Sequence, residues 1–282
     1  MALTPENFKF ICEFAKSSAA IILEPGKEYL VEARLAPIAT QAGFKTVDDF
    51  IVQVRTNPKA TLFHDQLIDA LTTNETSFFR DVFPFETLRQ HILPGILQQR
   101  APLKRLSIWS AASSTGQELY SIGMTIREYF PQLNDWNVSI LGTDVSSVVL
   151  NQARAGSYSQ LEVNRGLPAA MLVKYFKKIE NRWVINDEVK KLIEFRHMNL
   201  VKPWPAMPVF DVIFIRNVMI YFDLETKRSI LNRIRQCLHP SGYLFLGTAE
   251  TTINIDTEWL PTTLGKSTVY QPQAQRASLA AA

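Results

Sequence analysis

Cysteine is scarce: the 282 residues hold two, Cys12 and Cys237. They lie far apart, each in a helical apolar pattern. That excludes a disulfide framework and reads as buried thiols in a reducing compartment. The four histidines, at 64, 91, 197 and 239, lack metal-ligand spacing, so no metal is expected. No apolar run of about 18 residues occurs. The apolar stretch Ile11 to Leu23 is broken by Glu13 and Lys16, and nothing at the N-terminus reads as a signal peptide. A cytoplasmic protein without direct membrane insertion is the expectation. Only 11 glycines are present, none in a G-x-G-x-x-G pattern, and a dinucleotide pyrophosphate needs that bare backbone. Charge of one sign is also lacking. Lys+Arg number 30 against 27 Asp+Glu, net +3, too weak to argue for nucleic acid. There is no internal repeat.

What remains is 46% hydrophobic and 20% charged, ordinary for a globular protein with a sizeable core. The length suits one large domain or two smaller ones. The charge is uneven: residues 1–75 carry 7 Lys+Arg and 10 Asp+Glu, net −3, and residues 76–282 carry 23 and 17, net +6. The basic excess suits an acidic substrate, although scattered surface charge gives the same sum.

Thr4-Pro5-Glu6 starts a first helix, with Phe8, Ile11, Cys12 and Ala15 at helical spacing. A second carries Leu30, Val31, Leu35 and Ile38, and Pro37 should kink or end it. Thr46 and Asp49 open a third as a capping-box-like pair. Pro58 opens a fourth, with Leu62, Phe63, Leu67, Ile68 and Leu71. These four predict a small helical domain over residues 1–72. Residues 73–282 form the second domain, entered through the Thr- and Asn-rich linker 72–77. A further helix over Phe85, Leu88, Ile92 and Leu93 is followed by Pro94.

The organising stretch is 105–144: a strand, Arg105 to Ser110; a small-residue turn, Ala111 to Gly116; a helix from Gln117; and a second strand ending in Asp144. Strand, turn, helix, strand and terminal carboxylate make one βαβ half of a nucleotide site. A carboxylate there can accept both hydroxyl hydrogens of a ribose. The turn suits a nucleoside without phosphates, such as S-adenosylmethionine, and a plain βαβ unit stays open on the turn alone. Further strands are expected at 193–198, at 209–215 (nearly all apolar, hence central), at 243–247, and, antiparallel, at 267–270. Phe176 to Glu180 and Trp183 to Asn186 read as a hairpin outside the main sheet, an inserted subdomain at about 174–190. The tail from Gln271 reads as disordered. The expected fold class is α/β: a Rossmann-like domain, of the kind S-adenosylmethionine-dependent methyltransferases share, with an N-terminal all-helical domain and a small antiparallel insert.

Ligands of such sheets bind beyond the carboxyl ends of the strands. Those ends supply Ser110 to Gly116, Asp144, Asn199-Leu200 and Asn217-Val218, with Tyr221 just beyond. Methyltransferases acting on nucleic-acid amines use an Asn/Asp-Pro-Pro-aromatic motif where this chain has Arg216-Asn217-Val218-Met219. A cytosine-C5 enzyme needs a cysteine in the site, and Cys12 and Cys237 lie in helices away from the strand ends. A methyltransferase for another acidic protein or small acid, and a cofactor-binding signalling module, stay open.

Three segments carry a resemblance. Thr72-Thr73-Asn74-Glu75-Thr76-Ser77-Phe78-Phe79-Arg80 is similar to the T-x-N-x-T-x-F-F-R linker of the chemotaxis receptor glutamate methyltransferases, the CheR family. Ile108 to Glu118 resembles its W-S-A-A-x-S-T-G-E-E turn, with Gln117 in place of an acid. Phe210 to Phe222 resembles its F-D-x-I-F-x-R-N-V-M-I-Y-F segment. The resemblance runs from about residue 5 to 270.

It implies S-adenosylmethionine-dependent O-methylation of glutamate side chains on the cytoplasmic helices of chemoreceptors, giving a methyl ester and S-adenosylhomocysteine. Carried over by motif, the cofactor residues are Asn74, Thr76, Arg80, Glu118, Asp144, Asn199, Leu200, Asn217 and Val218. A glutamate is already ionised at neutral pH, so positioning and electrostatics suffice. Arg80 is expected to hold the incoming carboxylate with help from the Tyr221 hydroxyl, Asp144 the ribose, and Glu118 the amino group of the methionine moiety. Two departures stand out. Family members often dock the receptor through arginines on the second helix, where this chain has only Arg34. Some members grip a receptor's C-terminal pentapeptide through the β-insert, but the compact hairpin here points to one that does not require it. A monomer is expected.

Overall fold

The computed structural model describes residues 3–57 and 61–273. Four helices come first: α1 (Pro5–Ala19), α2 (Glu28–Gln41), α3 (Val47–Thr56) and α4 (Thr61–Leu71). The expected Pro58 start of α4 lies outside the described residues. The hydroxyl of Thr46 accepts the Asp49 N–H and caps α3. The helix α2 runs through Pro37 to Gln41, so Pro37 does not end it. Phe8, Ile11, Val31, Leu35, Phe50, Ile51, Leu67 and their neighbours bury one another in a core of their own.

Then come α5 (Phe83–Thr87) and α6 (Leu93–Arg100), joined by a π turn at Leu88–Ile92. The helix therefore does not stop before Pro94. A proline ring clashes with the carbonyl four residues back and has no N–H to donate. The wider turn absorbs it, with the Leu93 N–H reaching Leu88 O.

The rest alternates: β1 (Arg105–Ala111), α7 (Gln117–Tyr129), β2 (Asn137–Asp144), α8 (Ser147–Ala155), β3 (Ser157–Tyr158), α9 (Gln160–Asn164), α10 (Ala169–Tyr175), β4 (Phe176–Ile179), β5 (Arg182–Ile185), α11 (Asp187–Lys190), β6 (Ile193–His197), β7 (Phe210–Ile215), α12 (Leu224–Cys237), β8 (Leu238–Leu246), β9 (Trp259–Leu264) and β10 (Ser267–Pro272). The main sheet has the order β6-β2-β1-β7-β8-β10-β9. Its first five strands are parallel and β10 is antiparallel to both neighbours. As its apolar run predicts, β7 is central and wholly buried. Its one acid, Asp211, is paired: Oδ1 accepts from Arg100 Nε and Nη2 at 2.9 and 2.7 Å, and Oδ2 from the Ser107 N–H at 2.9 Å. A buried carboxylate persists only with such partners.

The hairpin β4–β5 stands outside this sheet and gains a third strand, β3, which the sequence reading lacks. From β3, the buried Tyr158 hydroxyl donates to Thr115 O at 2.7 Å, tying the small sheet to the turn after β1. The antiparallel β9 was not anticipated either. Among the described residues no helix is long and apolar enough to cross a membrane.

Candidate functional site

The adjacent parallel strands β6, β2, β1 and β7 all end on one side of the sheet. Beyond those ends opens a crevice of about 460 Å³. Its wall includes every residue proposed from the sequence: Asn74, Thr76, Arg80, Glu118, Asp144, Asn199, Leu200, Asn217, Val218 and Tyr221. The opposite wall comes from the helical domain, through Ala19, Ile21 to Leu23 and Arg34.

The turn after β1 is tight. Ala112, Ser114 and Gly116 all have positive φ, at 57°, 49° and 91°. A Cβ at Gly116 would lie 3.0 Å from that of Ala153 and 3.2 Å from the rings of Phe195 and Tyr120. Only glycine combines that φ with that closeness. The turn is pinned by the Ser113 N–H to Thr143 O and by the Ser114 hydroxyl to Asn74 O.

Asp144, at the tip of β2, accepts the Ser114 N–H at 2.8 Å on one oxygen and the Ser146 N–H at 2.9 Å on the other. A carboxylate has about four acceptor sites, so these amides leave acceptor capacity free. Burial pushes this carboxyl above its ordinary value, while the amides of Ser146, Ser114 and Val145 pull it back. Asp69 of α4 is raised by burial too, and its charge adds to the upward push on Asp144.

Glu118 opens α7. Its oxygens accept from the Ser110 hydroxyl at 2.8 Å and from Arg216 at 2.6 Å. Arg216 is the hub of this wall. Its buried guanidinium also reaches Asp81 at 2.6 Å and Arg80 O at 2.9 Å. The segment it holds is strained: Phe79, Asp81 and Val82 have φ of 47°, 67° and 51°. Such conformations cost about 1–3 kcal/mol each and persist only when over-determined by their surroundings. Here the Phe79 N–H bonds to the Ser121 hydroxyl and Arg216 fixes the Arg80 carbonyl. Arg80 spends one N–H on Glu75 O at 2.8 Å. Its other N–H donors have no hydrogen-bond partner among the described residues. The Tyr221 hydroxyl, the Thr76 hydroxyl and the Asn217 amide likewise have no protein partner there.

Asn199 differs. Its amide donates to Ser18 O at 2.6 Å and accepts from the Val201 N–H at 3.0 Å. One donor and one acceptor site are used within the protein, which fixes the side chain and leaves one of each. Arg34 is tied to Leu71 O and Thr73 Oγ1 at 2.6 and 3.0 Å. It therefore faces the linker and the crevice rather than open solvent.

Two residues escaped the sequence reading. Arg216 was quoted in a motif without a role, although an arginine closing a buried strand is a signal in itself. Glu250 accepts four backbone N–H groups around the end of β7. The only hint in the sequence was an acid three residues after Gly247.

Comparison with known proteins follows this geometry. Residues 74–267 match the family described as "CheR methyltransferase, SAM binding domain", and residues 6–72 match "CheR methyltransferase, all-alpha domain". The chain is 39% identical over 260 residues to chemotaxis protein methyltransferase 1 of Pseudomonas aeruginosa, covering 90% of this chain and 93% of that one. It is 36% identical over 270 residues to chemotaxis protein methyltransferase Cher2 of Pseudomonas putida, covering 94% and 97%. Chemotaxis protein methyltransferase 1 of Vibrio cholerae is 38% identical over 254 residues, covering 89% and 91%.

Proposed function

Because the chain belongs to the CheR methyltransferase family, its chemistry is S-adenosylmethionine-dependent methyl transfer, and we propose that the acceptor is a glutamate side chain of a chemoreceptor. The crevice suits the cofactor: its volume is that of a small-molecule site, and Asp144 keeps free acceptor positions at a strand end. When bound, the cofactor supplies a sulfonium methyl; a carboxylate oxygen forms the C–O bond as the C–S bond breaks, its electron pair goes to sulfur, and methyl ester and S-adenosylhomocysteine remain, with no proton to move.

The residues of the chain then bind and orient. Asp144 accepts the ribose hydroxyls. Glu118 faces the amino group of the methionine moiety, its orientation fixed by Ser110 and Arg216. Asn74, Thr76, Asn199, Leu200, Asn217 and Val218 line the cofactor. Arg80 holds the acceptor carboxylate, aided by the Tyr221 hydroxyl. The observation that carries this reading is the placement of Arg80: a guanidinium with spare donors, on a strained segment at the mouth of the adenosyl site. Replacement of Arg80 by Ala is expected to lower kcat/KM for receptor methylation by about 10²- to 10³-fold, the usual cost of losing an electrostatic stabiliser. Unchanged turnover would end the proposal.

Residues 1–72 form the helical domain and residues 73–282 the methyltransferase domain, with the β-insert at about 174–190. That division is supported by the separate core of the first four helices. The receptor is engaged without its C-terminal pentapeptide; the compactness of the hairpin, whose strands β4 and β5 meet through Glu180 and Asn181, supports that reading. Equal methylation of a receptor with and without those five residues is the expected result. The protein acts as a cytoplasmic monomer. The small-acid and binding-module readings are not favoured by the relatives.

A further inference from the structure

Glu250 follows the end of β8 and carries no ion pair among the described residues. Instead it collects amides. Its Oε2 accepts the N–H of Asn217 at 2.8 Å and of Gly247 at 2.7 Å. Its Oε1 accepts those of Val218 at 2.9 Å and Ile220 at 3.2 Å. Its own N–H closes a turn onto Gly247 O at 2.9 Å. About four acceptor sites are available to a carboxylate, and the four amides use them. Glu250 thus has nothing left to offer a ligand. What it does is fix the turn that follows β7.

That turn needs fixing. Asn217 has φ of 60°, a conformation other residues reach at a cost. Gly247 is fitted to the same arrangement. A Cβ there would come within 2.6 Å of Glu250 Oε2 and 2.8 Å of both Asn217 nitrogens. The turn carries Asn217 and Val218 on the crevice wall and leads to Tyr221. Its amides at Asn217, Val218 and Ile220 go to Glu250, and those of Tyr221 and Phe222 to the carbonyls of Val218 and Met219. Among the described residues, the Asn217 side-chain amide and the Tyr221 hydroxyl on this crevice-lining turn are left without a hydrogen-bond partner.

We propose that Glu250 is a positioning residue for methyl transfer: by gathering the amides that follow β7 and β8, it holds the turn that carries Asn217, Val218 and Tyr221 in place on the crevice wall. This deepens the reading of the crevice given above and does not depend on the identity of the acceptor.

The test uses the full chain as wild type, Glu250→Ala, Glu250→Gln and Gly247→Ala. Binding of S-adenosylhomocysteine is measured by calorimetry on the folded protein. Methylation of a receptor cytoplasmic domain is then resolved into kcat, cofactor KM and receptor KM. The expected result is at least a tenfold loss of affinity in Glu250→Ala, with raised cofactor KM and lowered kcat. Glu250→Gln keeps one oxygen and should recover part of the loss. Gly247→Ala, which leaves Glu250 in the sequence but displaces it, should repeat the defect if Glu250→Ala fails to fold. Variants that only lose folded fraction, with wild-type affinity and wild-type cofactor KM, would overturn the proposal. The binding measurement needs no acceptor, so a receptor that is not methylated by wild type would refute the glutamate reading and leave this one standing.

Discussion

Arg216 and Asp144 show how single side chains set the properties of the crevice. Arg216 is buried between Glu118 and Asp81. Removing one partner of a buried pair strands the other charges and costs about 3–5 kcal/mol. Arg216→Ala is therefore expected to lose about that much in urea unfolding, with cofactor affinity falling as Glu118 loses its anchor. Asp144 makes a prediction about pH. Its carboxyl lies above the ordinary value of 3.8 because it is buried. Such a group favours its protonated form in the fold, so its ionisation subtracts stability as pH rises from the unfolded value through the raised one. The proposed acceptance of ribose hydroxyls by Asp144 needs the ionised form. Affinity for S-adenosylhomocysteine should thus weaken on acidification at a higher pH than an exposed aspartate would give. Asp144→Asn should bind weakly and flatten that dependence in calorimetry. At this scale Asp144 and Arg80 were legible, one from its place at a strand tip and the other from a motif. The tie of the Asn199 amide to the helical domain was not, because its partner Ser18 is 181 residues away. Nor were the amide partners of Glu250 around Asn217, about thirty residues back.

Among the elements, the turn after β1 carries the sharpest demand. Gly116→Ala would force alanine to a φ of 91° with neighbours at 3.0–3.2 Å. A left-handed backbone alone costs about 1–2 kcal/mol. The variant is expected to unfold at lower urea by at least that amount, and to bind the cofactor less well because Ala112 and Ser114 share the turn. Local pattern found most elements: the apolar run of β7, the cap of α3, and the hairpin β4–β5. It missed β3, which has two residues and owes its existence to β5. It missed β9, where Pro261 argues against a strand. An edge strand tolerates proline, and β9 is the edge of the sheet. The helix that crosses Pro94 escaped for the same kind of reason, since a π turn is set by geometry and leaves no period in the sequence.

In the whole molecule, the helical domain closes the crevice. The carbonyls of Ser17 and Ser18, at the end of α1, accept from Lys202 at 3.0 Å and Asn199 at 2.6 Å, and the chain beyond them supplies Ile21 to Leu23 to the wall. Replacing Asn199 and Lys202 by Ala together should speed amide exchange over residues 17–24. It should also weaken cofactor binding by up to about tenfold, the equivalent of 1.4 kcal/mol. Exchange and affinity unchanged from wild type would mean that this wall stands without those ties.

The central claim is that this crevice brings a sulfonium methyl into line with a carboxylate borne by another protein. Its most direct test is incubation of the chain with radiolabelled S-adenosylmethionine and a purified receptor cytoplasmic domain, followed by mild base. Label that enters the receptor, leaves as methanol in base, and is absent when the acceptor glutamates are replaced by alanine is the predicted result. Label that survives base, or persists without those glutamates, would contradict it.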